Sequence, residues 1–255
     1  MRKFGLKVSI AVVFLLSSAS LFSYWKGWFS DFTLNLGTEL IGILITVVFI
    51  DLVISRHEQR EKSKLRRIAL RQLRVPMQRH LSLLFNMYKA SVTAPATRSI
   101  DGPETLFSED YYLQLASFDL SKDAPVIPKQ QWIDYACHEV NEFRESLSRT
   151  LEKYAMHLDS EVIDLLESLL GSSFLSFLKQ VPNIRNIDRN EGFNRSFVFF
   201  GAPGMKDMIE RHTDLFSRLV KLFNSEMDQA DHVKLSSDIW RNDVSPQIGS
   251  ARSVA

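Results

Sequence analysis

The pattern of apolar and polar residues separates an apolar N-terminal part from a longer part with helical periodicity. Residues 8–25 contain no charged side chain, and residues 32–54 contain two, Glu39 and Asp51. As a helix the first segment rises about 27 Å, close to the hydrocarbon thickness of a bilayer. The pattern therefore predicts two transmembrane helices joined by a short loop at residues 26–31.

The first apolar segment has a second interpretation, a secretory signal peptide. Basic residues precede it, and Ser18-Ala19-Ser20 offers a small-residue cleavage site. The apolar run continues past that site to Tyr24 and Trp25, which are typical of the membrane interface. This extension favours a retained span. Both interpretations leave the C-terminal flank of the second span on the same side of the membrane.

That flank is strongly basic. Residues 56–90 carry ten basic and two acidic side chains, whereas residues 91–255 carry seventeen basic and twenty-five acidic ones. Under the positive-inside rule the basic flank is cytoplasmic, as is the basic segment before the first span. We therefore expect a multi-pass membrane protein with both termini in the cytoplasm.

An apolar stripe with helical spacing runs through the basic segment and predicts an amphipathic juxtamembrane helix. Pro76 is expected to kink or end its first section, because proline lacks the N–H of a helical hydrogen bond. The stripe consists of Leu65, Ala69, Leu73, Met77, Leu81, Leu84 and Tyr88.

Residues 91–103 are rich in turn-forming residues and predict a linker. A short helix after Ser108 and an extended stretch at residues 123–128 follow. The most regular stripe predicts a helix over about residues 131–158. Its apolar positions are Trp132, Ala136, Val140, Phe143, Leu147, Leu151, Tyr154 and Leu158.

Asp159 or Ser160 is expected to cap the next helix, which extends to about Leu178. A loop from Pro182 to Pro203 is then predicted, with Ser196 to Phe200 either as a short strand or as a hydrophobic plug. The last helix is expected to begin at Pro203. Its inward positions are Met205, Ile209, His212, Phe216, Leu219 and Phe223.

The predicted fold class is all-α, with two N-terminal transmembrane helices followed by a cytoplasmic helical bundle. The predicted domains are a transmembrane hairpin at 1–55, a basic juxtamembrane helix at 56–90, a helical domain at 91–229 and a mobile tail at 230–255.

Four residues of the second span are predicted to pack against another helix. Thr38, Gly42 and Thr46 repeat at the small-xxx-small spacing that lets helices approach closely, and Glu39 shares the face of Gly42 and Thr46. The partner is the first span or a second copy of the chain. Glu39 also raises an alternative, an ion- or proton-coupling role in an oligomeric channel or transporter.

The basic segment next to the span has three interpretations. It is a topology signal, or it contacts anionic lipid headgroups, or it binds nucleic acid. The last is disfavoured because no folded nucleic-acid reader is present. The predicted headgroup contacts are Arg56, Arg60, Lys62, Lys64, Arg66 and Arg67.

Motifs for enzymatic chemistry are absent from the sequence: it has no phosphate-binding loop and no nucleophile elbow. The lone Cys137 gives neither a disulfide nor a metal framework. His212 falls on an inner stripe, where a hydrogen-bonded core histidine is favoured over a base. We therefore predict no catalytic residue, cofactor or metal.

One polar face of the 131–158 helix carries side chains of the types that bind metals. It is formed by Asp134, His138, Glu142 and Glu145, opposite the apolar stripe, and a solvated surface is favoured there. Glu145 and Arg149 are expected to form an i,i+4 pair.

The stretch LGTELIGILITVVFIDLVISR at residues 36–56 resembles uncharacterised bacterial inner-membrane proteins, and DLSKDAPVIP at residues 119–128 does so more faintly. This resemblance covers a minority of the chain. It implies a bacterial inner-membrane setting and no activity.

Three functions remain open. The favoured one is a non-catalytic, membrane-anchored interaction or sensory module that contacts a protein partner or a second copy of itself. The others are a channel or transporter subunit using Glu39, and an enzyme whose active residues are dispersed over the loops at 91–130 and 182–203.

Overall fold

The computed structural model describes residues 14–15, 18–19, 22, 25–26, 30–93, 99–193 and 195–235. The chain divides into two compact units, Met1–Lys64 and Leu65–Ala255. Its structure is mostly helical, which confirms the all-α class. The α-helices are α1 (Ser30–Ser91), α2 (Pro103–Leu106), α3 (Glu109–Leu115), α4 (Trp132–Tyr154), α5 (Ser160–Leu170), α6 (Ser173–Glu191) and α7 (Met205–Glu226).

The first unit contains the apolar part of α1. Among the described residues one helix, Thr38–Ser91, is long and apolar enough to cross a membrane, and no residue of its most apolar stretch is buried. Most of the first predicted span, residues 8–25, lies outside the described residues. The two-span hairpin therefore stays a prediction.

The second unit begins with the part of α1 that carries the amphipathic stripe. Leu73, Met77, Leu81 and Leu84 are all fully buried, so this part of α1 belongs to the core of the helical domain. Of the two expected effects of Pro76, a kink or an end of the helix, the end does not occur, because α1 continues through it. Apolar burial on both sides of Pro76 outweighs the one backbone hydrogen bond that proline cannot make.

Two short helices and a small hairpin follow. Ser108 occupies the N-cap position of α3, as predicted. The extended stretch contains strand β1 (Asp123–Ala124), which pairs antiparallel with β2 (Gln130–Gln131) directly before α4.

Helix α4 confirms the most regular stripe of the sequence. Ala136, Val140, Phe143 and Leu147 are buried, and the helix packs against α5 and α6. The chain then tightens into a 3-10 turn at Ala155–His157, so the α-helix ends a few residues before the predicted boundary.

The prediction of one helix from residue 160 to 178 is wrong. The chain breaks at Gly171 and Ser172, which separates α5 from α6. The break lets α5 pack mainly against α7 while α6 packs mainly against α4.

The predicted loop from Pro182 to Pro203 is also wrong in its first half. Helix α6 continues through Pro182 and ends at Gly192, whose φ of 73° is the left-handed conformation that favours glycine at a helix C-terminus. Leu178 and Val181 are buried beside Pro182, and this burial holds the helix together across it.

The remainder of that loop is the predicted hydrophobic plug and not a strand. Phe197 and Phe200 are buried in the core, and Phe200 lies 6.2 Å from Phe174 between ring centroids. Helix α7 then starts at Met205, two residues after Pro203, and buries the predicted inner positions from Ile209 onward.

The prediction of a mobile tail from residue 230 is wrong for residues 230–235. Residues 227–235 pack on the domain: Val233 and Leu235 are buried, and the Asn224 side chain hydrogen-bonds the backbone of Val233. These apolar residues do not follow helical spacing, which is why periodicity missed them. Residues 236–255 lie outside the described residues.

Candidate functional sites

Three of the four predicted packing residues of the apolar segment lie along a shallow groove on α1. Glu39, Gly42 and Thr46 line this groove, together with Ile43 and Val47. The Thr46 hydroxyl donates to the Gly42 carbonyl at 2.9 Å, so its polarity is satisfied within the helix. A Cβ atom built on Gly42 meets no atom within 4 Å, which leaves this face open.

Thr38 belongs to the same segment and is likewise satisfied locally. Its hydroxyl donates to the Asn35 carbonyl at 2.9 Å. Side chains that bond their own helix present no unsatisfied donor to the bilayer, and this suits a lipid-facing or helix-facing position.

The basic residues next to the apolar segment are exposed. Arg56, Arg60 and Lys64 line an open groove of about 560 Å³ on α1. Lys64 pairs with Glu61 at 2.9 Å, and this hydrogen bond holds the pKa of Glu61 below its usual value. Within the described part of the chain, Arg56, Arg60 and Lys62 form no ion pair, so their charges stay available.

Arg66 and Arg67, by contrast, are engaged by carboxylates of the helical domain. Arg66 bonds Asp159 at the start of α5, at 2.9 Å, and also Glu226 at the end of α7. Burial raises the pKa of Glu226, and the Arg66 charge opposes that shift. Arg67 pairs with Asp228 at 3.1 Å. The basic segment therefore contains a free set of cations and a set that ties α1 to the bundle.

The most unusual polar group of the core is a chain of two histidines and a serine. His80 of α1 and His212 of α7 approach to 2.8 Å between their Nε2 atoms, and both are almost fully buried. The Nδ1 atom of His212 lies 3.0 Å from the Ser172 hydroxyl at the break between α5 and α6. The Nδ1 atom of His80 has no hydrogen-bond partner in the described structure.

Aromatic rings enclose this chain. The His80 ring stacks on Phe143 at a centroid distance of 4.2 Å and meets Phe216 edge-on at 5.0 Å. Phe174 lies 4.9 Å from the His212 ring. Burial lowers the pKa of His212 to about 3 and holds that of His80 well below its usual value. Both rings are therefore neutral near pH 7.

Buried in this way, the serine and histidines are not a hydrolytic site. Ser172 is 8% exposed and His212 1%, so a substrate cannot reach them in this conformation. His212 is the hydrogen-bonded core histidine that its inner position predicted. Its partner His80 was missed, although it falls three residues after Met77 on the same buried side of α1.

The polar face of α4 is used for an ion pair. Both guanidinium Nη atoms of Arg185, on α6, bond the two carboxylate oxygens of Asp134 at 2.7 Å. The predicted pair of Glu145 and Arg149 is present. No group of three or more metal-ligating side chains occurs among the described residues.

Cys137 lies on the same helix and is not an activated thiol. Its thiol accepts from the Asn141 amide at 3.5 Å, and burial raises its pKa. A raised pKa lowers the thiolate fraction that a nucleophile or metal ligand requires.

Comparison with known proteins adds no relative: no family model, no curated protein and no solved structure matches the chain.

Proposed function

We propose that the chain is a membrane-anchored, non-catalytic helical module that contacts anionic lipid headgroups through Arg56, Arg60, Lys62 and Lys64 and acts through protein partners. The observation that carries the proposal is the uncovered apolar surface of α1. Nine large apolar side chains between Ile41 and Ile54 are exposed, among them Ile45 and Phe49 at 64% and 66%.

The free energy of this surface indicates what covers it. Removing one fully exposed large apolar side chain from water gains about 1.5–3 kcal/mol, and these nine are about half exposed, so together they represent about 7–13 kcal/mol. A soluble domain does not leave that amount unused, because its whole stability is about 5–15 kcal/mol. A bilayer buries all faces of the helix at once.

The position of these four cations supports the headgroup contact. Arg56 follows the apolar stretch directly, and Arg60 and Lys64 continue on its face at i+4 spacing. A cation near an anionic leaflet gains about 1 kcal/mol. In this proposal the span is part of an inner-membrane hairpin whose two termini are cytoplasmic, and the Gly42 face packs against the first span.

The anchoring is tested with the full chain in cells. Alkaline carbonate extraction should leave it in the membrane pellet, and reporters inserted after residue 30 and after residue 90 should read outside and cytoplasmic. Release into the soluble fraction would contradict the anchor. A cytoplasmic reading after residue 30 would contradict the hairpin alone.

The lipid contact is tested in reconstituted vesicles with spin-labelled phosphatidylglycerol and phosphatidylcholine. We expect a preference for the anionic lipid that falls with salt and drops about fivefold or more in R56Q/R60Q/K62Q/K64Q. The matched control K179Q/R189Q/R218Q/K221Q removes two arginines and two lysines from the exposed surface of the helical domain. An equal loss in the control would show that overall charge, and not this segment, selects the lipid.

A further inference from the structure

A cleft on the helical domain carries a second set of free cations. It has a volume of about 710 Å³ and lies between α1, the segment 230–235 and Asp101. Its size is typical of small-molecule sites, which occupy about 300–1,000 Å³. The side chains that line it are Arg74, Val75, Gln78, Arg79, Asp101, Ala230, His232, Lys234 and Leu235.

Hydrogen bonds between α1 and the 230–235 segment build the walls of the cleft. Arg74 donates to the carbonyls of Asp231 and Ala230 at 3.0 and 3.1 Å. The Gln78 amide bonds the Lys234 backbone through both of its ends, at 2.9 and 3.3 Å. These contacts occupy the hydrogen-bonding groups of the Gln78 amide and most of those of the Arg74 guanidinium, so the two residues form the wall of the cleft and are not available to a ligand.

The side chains of Arg79 and Lys234 are left over. Neither forms a hydrogen bond or an ion pair within the described part of the chain, although both line the cleft. Arg79 also borders a small recess with Glu139 and Glu142, yet no ion pair forms there. His232 uses Nε2 toward the Met227 carbonyl at 3.2 Å. This bond leaves its Nδ1 atom available to a ligand.

Asp101 is the one acidic residue of the lining, and it is partly occupied. Its carboxylate accepts the Ser99 hydroxyl at 2.7 Å, and its backbone carbonyl accepts the Leu235 N–H at 2.9 Å. The remaining surface is apolar and comes from Val75, Ala230 and Leu235. The cleft thus combines an excess of positive charge with an apolar wall.

We propose that this cleft binds the phosphate group of a small phosphomonoester, with Arg79 and Lys234 as the charged contacts and the apolar wall for the ester's organic part. Two separate cations match a dianionic phosphate better than a single carboxylate charge. The same chemistry is offered by a free phosphorylated compound and by a phosphatidic acid headgroup. The inference does not depend on the membrane function proposed above.

The test uses the full chain in a non-ionic detergent and glycerol 3-phosphate as the probe, measured by isothermal titration calorimetry at low salt. We expect saturable binding that weakens at least tenfold in R79Q/K234Q, because that variant removes both free cations. The single variant K234Q should give a smaller loss. The fold is retained in K234Q, because Gln78 bonds the backbone of Lys234 and not its side chain.

The matched control is R218Q/K221Q, which removes one arginine and one lysine from the exposed side of α7. It should bind the probe as the unmodified chain does. An equal loss in both double variants would overturn the proposal, because it would indicate diffuse attraction by surface charge. Absence of binding by the unmodified chain to every probe would overturn it as well.

A second arm separates the two sources of phosphate. Vesicles of phosphatidylcholine with phosphatidic acid replace the soluble probe, and all measurements are made in the R56Q/R60Q/K62Q/K64Q background. Binding of glycerol 3-phosphate that depends on Arg79 and Lys234 supports a soluble ligand. Enrichment of phosphatidic acid with the same dependence, without binding of the soluble probe, supports a lipid headgroup.

Discussion

The hydrogen-bonded pair of His80 and His212 predicts how the stability of the helical domain depends on pH. Burial lowers the pKa of both rings, that of His212 to about 3, from an ordinary value of 6.5. Phe143, Phe174 and Phe216 surround the pair, so no carboxylate in direct contact offsets the loss of hydration. The folded domain therefore keeps both rings neutral under conditions in which the unfolded chain protonates them.

Proton linkage gives the direction and the size of the change in unfolding free energy with pH. Above about pH 6.5 neither state takes up protons at these rings, and the stability contributed by their neutral burial is intact. As the pH falls below 6.5 the unfolded chain gains protons and the folded domain loses about 1.4 kcal/mol per pH unit for each ring. At pH 5 His212 accounts for about 2 kcal/mol, and its loss continues toward its folded pKa of about 3; His80 adds to the loss in the same direction.

The perturbation is His80→Phe. It keeps a flat ring against Phe143 and removes the Nδ1 atom that has no partner. The variant loses the bond to His212 at every pH, which costs about 1–3 kcal/mol because the buried Nε2 atom of His212 is left without a partner. Its loss of stability between pH 7.5 and pH 5 should nevertheless be smaller than that of the unmodified chain, by at most about 2 kcal/mol, because one of the two titrating rings is gone.

The measurement is urea unfolding of the full chain in a non-ionic detergent, followed by far-ultraviolet circular dichroism at several pH values. His138→Gln is the control, because His138 is exposed on α4 and its removal should leave the pH dependence unchanged. The reasoning is refuted if His80→Phe and the unmodified chain lose equal stability on acidification. A change of similar size in His138→Gln would refute it too.

Two further predictions concern α1. Arg66→Gln should lower the free energy of unfolding by about 1–3 kcal/mol, because it leaves the half-buried Glu226 without its partner. Arg67→Gln removes an exposed pair and should lower it by less than about 1 kcal/mol. Chemical unfolding of both variants measures the difference. Gly42→Leu should disrupt helix packing in the membrane, and Gly42→Ala should disrupt it much less. The measurement is crosslinking from a cysteine introduced by Thr46→Cys to the first span or to a second copy of the chain. Unchanged crosslinking in Gly42→Leu would contradict the packing face.

The sequence predicts α4 and α7 well, because each carries a long regular stripe that one buried face explains. It fails between α5 and α6 because apolar residues continue at helical spacing across Gly171. The spacing of apolar residues indicates which side of a helix is buried. It does not indicate that two successive segments pack mainly against different helices. The break also places Ser172 beside His212, a contact that only the tertiary fold creates.

Helix α1 continues through Pro76, and α6 through Pro182, for a related reason. Local rules count the hydrogen bond that Pro76 and Pro182 cannot make. They do not count the buried side chains on the adjacent turns, such as Met77 and Val181, which lose their environment if the helix ends. At both sites burial on two sides of the proline is the larger contribution.

The basic segment shows why a charge count could not locate the candidate sites. Ten basic side chains between residues 56 and 90 read as one uniform stretch in the sequence. In the fold, three of these side chains donate hydrogen bonds to carboxylates or carbonyls more than a hundred and fifty residues away in the sequence: Arg66, Arg67 and Arg74. A cation that already has a partner gives up that interaction in order to bind a ligand, whereas a free one gives up only water. Apart from Lys64, which pairs with Glu61 on the surface, the cations to which function is assigned are therefore those without an ion pair in the described part of the chain, and the fold alone distinguishes Arg79 from Arg74.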